Sequence, residues 1–223
     1  MKKLLLTFVL SAFYVTSASA EFGVNVGVSG NAGIFAASAT ESTGTTKKGN
    51  GTEHGSAGWG SVFLEASIND KFMLGVDYVP GAMETDTAET AKSNISAVSA
   101  AGAITKTAVT NKIQVDFEHL TTMYAAMMLN DNFYVKAGVM TVDVITNENL
   151  ATGASYADTD LDGSMFAVGY HNALDNGAFF RFEGNYRSFD GTKLNATGTD
   201  ADNSIELRNL DGVSGSISFG KSF

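Results

Sequence analysis

Charged and polar side chains at every second position are the residues here whose type and spacing could do chemistry. The clearest run is Arg181, Glu183, Asn185 and Arg187, each separated from the next by an apolar or small residue. Two-residue spacing puts all four on one face of a β-strand. The same phase selects Glu65, Asp77, Asp116, Glu118 and Glu206 as further acids, Lys136 and Arg208 as further bases, and His171 beside them. Acids and bases gathered on one inward face must neutralise one another, because an isolated buried charge is costly. The chemistry expected of them is therefore ion pairing, with Arg187 and Glu206 as the first pair.

Catalytic patterns are weak by comparison. The chain has no Cys and only 3 His, which removes thiolate nucleophiles, thiolate metal sites and disulfides. His54 lies in a Gly/Ser-rich stretch and His119 points away from its neighbour Glu118. His171 has no Ser in register to activate. Asp158, Asp160, Asp162 and Gly163 begin like a calcium loop, but its twelfth position is Gly169 where a bidentate Glu is required. The expectation is no catalytic site, no metal and no cofactor.

The elements that must hold such a charged face are strands. From Glu21 onward, alternating segments are separated by runs of Gly, Asn, Asp, Ser and Thr. Phe22, Val24, Val26, Val28 and Ile34 share one face of the first segment, and Val213, Ile217, Phe219 and Phe223 one face of the last. Others run near 59–68, 71–79, 112–129, 133–145 and 161–174. With the Arg181 segment they make eight, although 95–109 could pair outside the main sheet or supply a ninth and tenth strand. Short turns at Asn69-Asp70, Asn130–Asn132 and Asp175–Gly177 alternate with long polar connections at 40–58, 80–111, 146–160 and 190–204. Pro80, lacking an N–H, marks where a strand leaves the sheet. Phe180, Phe182 and Tyr186 oppose the charged face, so the aromatic side is the outer one. Such apolar-out, polar-in strands, even in number, describe a transmembrane antiparallel up-and-down β-barrel. Aromatics at Phe22, Phe72, Phe133, Phe179 and Phe223, and again at Phe35, Trp59, Tyr78 and Phe189, read as two interfacial belts.

The N-terminus supplies an address. Lys2 and Lys3, an apolar run from Leu4 to Val15, and Ala18-Ser19-Ala20 fit a signal peptide over residues 1–20, leaving 21–223 as the barrel domain. Its removal takes two lysines and no acid, so the net charge of −10 becomes −12. That surface excludes nucleic acid as a partner.

The alternating C-terminal strand ending in Phe223 resembles the small outer-membrane β-barrels, the OmpA-type transmembrane barrel and its porin-like relatives. The resemblance implies that Phe223 is read as an assembly signal by the barrel-assembly machinery, with periplasmic chaperones in transit. It also implies an outer-membrane location amid lipid and lipopolysaccharide, with both mature termini periplasmic; no peptidoglycan-binding domain is expected, since no residues are left after Phe223. An eight-stranded interior is wide enough only for its own side chains. The functional expectation is a plugged barrel with a structural or surface-contact role. The alternatives are a small porin passing ions or solutes and a soluble periplasmic binding barrel.

Overall fold

Period-two alternation becomes strand wherever a neighbouring strand completes its hydrogen bonds. The structure, a computed structural model, describes residues 22–69, 71–98, 104–150, 155–198 and 202–223. The expected signal peptide, residues 1–20, lies outside them. Eleven strands follow in order: β1 (Phe22–Thr43), β2 (Thr46–Ile68), β3 (Phe72–Tyr78), β4 (Met83–Glu84), β5 (Ala88–Val98), β6 (Ile104–Met128), β7 (Phe133–Asn149), β8 (Ser155–Tyr156), β9 (Thr159–Ala173), β10 (Ala178–Thr197) and β11 (Asn203–Ser222). Eight of them close a ring, β1-β2-β3-β6-β7-β9-β10-β11, sealed by the antiparallel β1–β11 ladder. β4 and β5 pair with β6, and β8 with β10, outside that ring. Within 95–109 the described residues pair β5 with β6, and the ring stays at eight.

Most of the long connections are strand. β1 and β2 continue to a tight turn in which Thr43 faces Thr46 and Gly44 takes φ 56, so 40–58 is a hairpin. β7 reaches Asn149, and β10 and β11 pair as far as Asn195 opposite Ser204. Alternation fades in these stretches because neither face there meets hydrocarbon, while the ladder still satisfies the backbone. A tilted strand crosses a bilayer in about 9–11 residues. β1, β2 and β6, with 22, 23 and 25 residues, therefore project well beyond it.

The outer face carries Val28, Ile34, Phe166, Phe182, Tyr186, Val213, Ile217 and Phe219, all roughly half exposed. Of the second aromatic belt, Tyr78 keeps the outer phase, stacked on His119, and the other three turn inward. Trp59 and Phe189 are buried and Phe35 packs against them inside the ring, because all three occupy the inward phase of their strands. Phe179 of the first belt is also inside, 2% exposed. Phe22, Phe72, Phe133 and Phe223 stay outside.

Candidate functional site: the filled lumen

Inside the ring, β2, β3, β7 and β10 each bring charge to a common level. Arg181 on β10 reaches across to Glu65 on β2 and grips it with both guanidinium ends, Nη1 to Oε1 at 2.6 Å and Nη2 to Oε2 at 2.8 Å. The pair is 4% and 2% exposed. Two more donors complete the carboxylate, Tyr124 Oη at 2.7 Å and Asn25 Nδ2 at 3.2 Å. The Arg181 Nε donates to His171 Nδ1 at 2.9 Å, and the guanidinium lies 4.5 Å from the Phe179 ring centre. A bidentate, fully hydrogen-bonded pair meets the geometric condition under which buried charge is tolerated.

A second pair lies close by. Lys136 on β7 meets Glu183 at 2.6 Å, and Tyr134 donates to the same carboxylate at 2.6 Å. Both tyrosines owe their placement to glycines. Tyr124 lies over Gly75 and Tyr134 over Gly169, their cross-strand neighbours, where any Cβ would collide with the ring. Asp77 accepts from Ser61 at 2.9 Å, while Arg187 bonds Ser214 and stands 5.2 Å from the Trp59 ring centre. The inward acids Glu65, Asp77 and Glu183 thus match Lys136, Arg181 and Arg187 in number.

Toward the long-hairpin end the filling turns apolar. Trp59, Val79, Leu120, Met140, Val142, Val144, Leu161, Met165, Ala167, Phe189 and Leu210 form one buried cluster, joined by Phe35, Met83, Phe117 and Leu207. Among the charges sits a polar cavity of about 20 Å³, lined by Asp77, Lys136, Arg181, Glu183 and Arg187 and touched from the apolar cluster by Met165. That is room for about one water.

The remaining candidates are elsewhere. The β6–β7 register steps from Glu118↔Asp143 to Thr121↔Thr141, one extra residue on β6, with His119 at φ 54. This bulge inverts the phase. Leu120 stays in the core and Val115 and Phe117 pack inward above it, so Asp116 and Glu118 face outward. Asp116 accepts from Gln114 at 3.1 Å and Asn147 at 2.6 Å, and His119 contacts Asp143 at 3.2 Å. On β11 the β1 register skips Arg208, passing from Ser38↔Asn209 to Ala39↔Leu207. Leu207 then packs inward and leaves Glu206 and Arg208 exposed. The expected Arg187–Glu206 pair therefore does not form. Glu206 stands opposite Lys193, six residues along β10 from Arg187. Among the described residues no group of three His, Asp or Glu side chains is placed to hold a metal.

The chain matches no protein-family model and no curated protein sequence. It is similar in structure to the outer membrane protein OprG from Pseudomonas aeruginosa, with TM-score 0.55 and 15% identity over 90% of this chain and 96% of that one. The outer membrane protein AlkL, solved in DMPC bilayers, gives TM-score 0.51 and 14% identity over 94% of each chain. The fold is that of a small bacterial outer-membrane β-barrel.

Three lumen residues of this barrel escaped the sequence reading as site members, Asn25, Tyr124 and Tyr134, while His171 was placed in the inward phase without its partner Arg181. The available signal was a glycine in inward phase opposite a tyrosine, twice, which frees space for a ring to lie across the lumen. Phe223, the expected assembly signal, is 76% exposed and exchanges backbone hydrogen bonds with Val24 at 2.9 and 3.1 Å. It closes the last rung between β11 and β1.

Proposed function

We propose that this barrel sits in the outer membrane with its lumen closed and works through its exterior, as a structural and surface-contact protein. One observation carries the reading: buried side chains cross the lumen at two successive levels. The Glu65–Arg181 and Lys136–Glu183 pairs occupy one level, the Trp59–Leu210 cluster the next, and the polar cavity among the charges is about 20 Å³. A hydrated ion needs a continuous water path, and the apolar level offers none. The outward band of Phe182, Tyr186, Val213 and Phe219 suits hydrocarbon and argues against a soluble binding barrel.

In this reading residues 1–20 are the export signal, and both mature termini with the short turns lie on the periplasmic side. Phe223 is read by the barrel-assembly machinery after chaperoned transit, and lipid and lipopolysaccharide surround the outer band. No catalytic step is assigned. Planar-bilayer recording of the refolded chain tests it. A closed lumen gives no steady ohmic conductance, whereas a stable, ion-selective conductance replaces this reading with that of a small porin.

A further inference from the structure

Beyond the ring, one seam of the barrel wall is open. β2 begins at Thr46, but its ladder with β3 covers only Val62–Ile68, opposite Tyr78–Phe72. Pro80, just past β3, has no N–H with which to extend that ladder. From Thr46 to Ser61, β2 therefore has β1 as its single ladder partner among the described residues. Against β6, the line of β3 is continued first by β4, opposite Phe117 and Asp116, and then by β5, opposite Ile113 to Ile104. β5 pairs with nothing else among the described residues. A strand directs the N–H and C=O of every second residue to each side, so two unpaired backbone rows flank the seam. The neighbouring walls are laddered far out, β1–β2 to Thr43 opposite Thr46 and β1–β11 to Thr43 opposite Asn203.

We propose that this seam is a strand-acceptor site, which takes an extended segment of an extracellular protein as an added strand between β2 and β5. The inference rests on the surface-contact reading above and names its partner class. Bare edges are normally blunted by charge, proline or a bulge. On β2 the exposed Lys47 guards the tip and Glu53 is the one other described charge along 46–61. Lower down, Gly49, Gly51 and Gly55 have nothing within 4 Å of the position a Cβ would take, so no side chain stands over that face of the edge. At the inner side of the seam, Ala57, Met83, Val115 and Phe117 pack against the Trp59 cluster. An added strand with apolar residues at every second position would lengthen that core, and its other face would meet water.

Charge and geometry restrict the occupant further. Lys47 is exposed at the tip of β2 in a chain of net charge −10, and it favours an acidic residue at that end of the segment. A second copy in the same membrane fits poorly. Barrel strands tilt by about 35–45°, so two β2 edges related by an axis along the membrane normal would cross at about 70–90°. Ladder pairing needs strands nearly aligned. A proline-free segment of a soluble protein is free to align, as in β-augmentation generally.

The test follows amide hydrogen exchange by NMR on the full mature chain refolded in micelles. The probe is a synthetic twelve-residue peptide alternating valine and serine, with a terminal aspartate. Its control is the same peptide N-methylated at every second residue. The unmodified peptide is expected to slow exchange at least tenfold at alternate amides within 46–61 of β2 and 88–98 of β5, leave β11 unchanged, and lose this effect on methylation. Three results overturn the proposal: no slowing at saturating peptide, equal slowing by both peptides, or slowing without peptide that scales with protein concentration. Conductance decides the closed-lumen reading separately, so the two can fail independently.

Discussion

Replacing Arg181 by Met keeps much of the side-chain volume and removes the charge that faces Glu65. The carboxylate, 2% exposed, then loses two of its four donors and the guanidinium that neutralises it, keeping only Tyr124 and Asn25. Stranding one member of a buried pair costs about 3–5 kcal/mol, and the lost bond to His171 adds about 0.5–1.5 kcal/mol. The two retained donors offset part of this, so the expected loss is about 3–5 kcal/mol. Urea titration of the micelle-bound barrel reads it, followed by the fluorescence of Trp59, the single tryptophan. The control is Lys112→Ala, which breaks a 2.6 Å contact to Glu89 between side chains about half exposed and should cost at most about 1 kcal/mol. Combining Arg181→Met with Glu65→Leu should recover at least half the loss, since an apolar replacement strands no charge. The reasoning is refuted if Arg181→Met costs no more than Lys112→Ala at an unchanged denaturant slope. Water would then reach the pair, and the lumen would not be closed at that level.

Gly169→Val should cost about 1–3 kcal/mol by forcing the Tyr134 ring off its cross-strand glycine, while Gly184→Val on the outer face, with open space around it, should be near neutral in the same titration. Phe189→Ala, in the apolar level, should cost about 3–5 kcal/mol, and a cost under about 1 kcal/mol would show that level to be loosely filled. With no native cysteine, Thr45→Cys should react with a membrane-impermeant maleimide on intact cells and Asn176→Cys should not; the reverse pattern inverts the topology. Deleting Phe223 should lower the fraction of folded barrel in the outer membrane, read by heat-modifiable migration on gels, and an unchanged fraction would remove its role as a signal.

Strand phase was legible wherever one face meets hydrocarbon. Between Phe180 and Arg187 every outward residue is aromatic or Gly, and between Val213 and Phe219 every one is apolar or Gly, as an apolar surround favours, and the ring of eight follows from such stretches. The hairpin over 40–58 was not legible for the same reason reversed. Past the membrane both faces of β1 and β2 accept polar residues, so TKKGNGTEHGS reads as loop although its backbone is fully strand. Only the ladder reports it, and a ladder is a property of two segments.

The lumen divides along a similar line. Glu65, Asp77, Lys136, Arg181, Glu183 and Arg187 lie in uninterrupted alternation, and their inward phase could be read by counting in twos. Asp116, Glu118, Glu206 and Arg208 were counted across a bulge, and one inserted residue moves every later side chain to the other face. The bulge at His119 carries no glycine to announce it; the residue simply adopts φ 54. What betrays it is the apolar phase, since Leu120 and Phe117 can both be core only if the count slips between them. The same test on β11, Leu210 against Leu207, moves Glu206 outside and breaks the pairing with Arg187. In a barrel, then, charge alternation locates a lumen residue only between bulges, and the buried apolar residues on either side must agree with it.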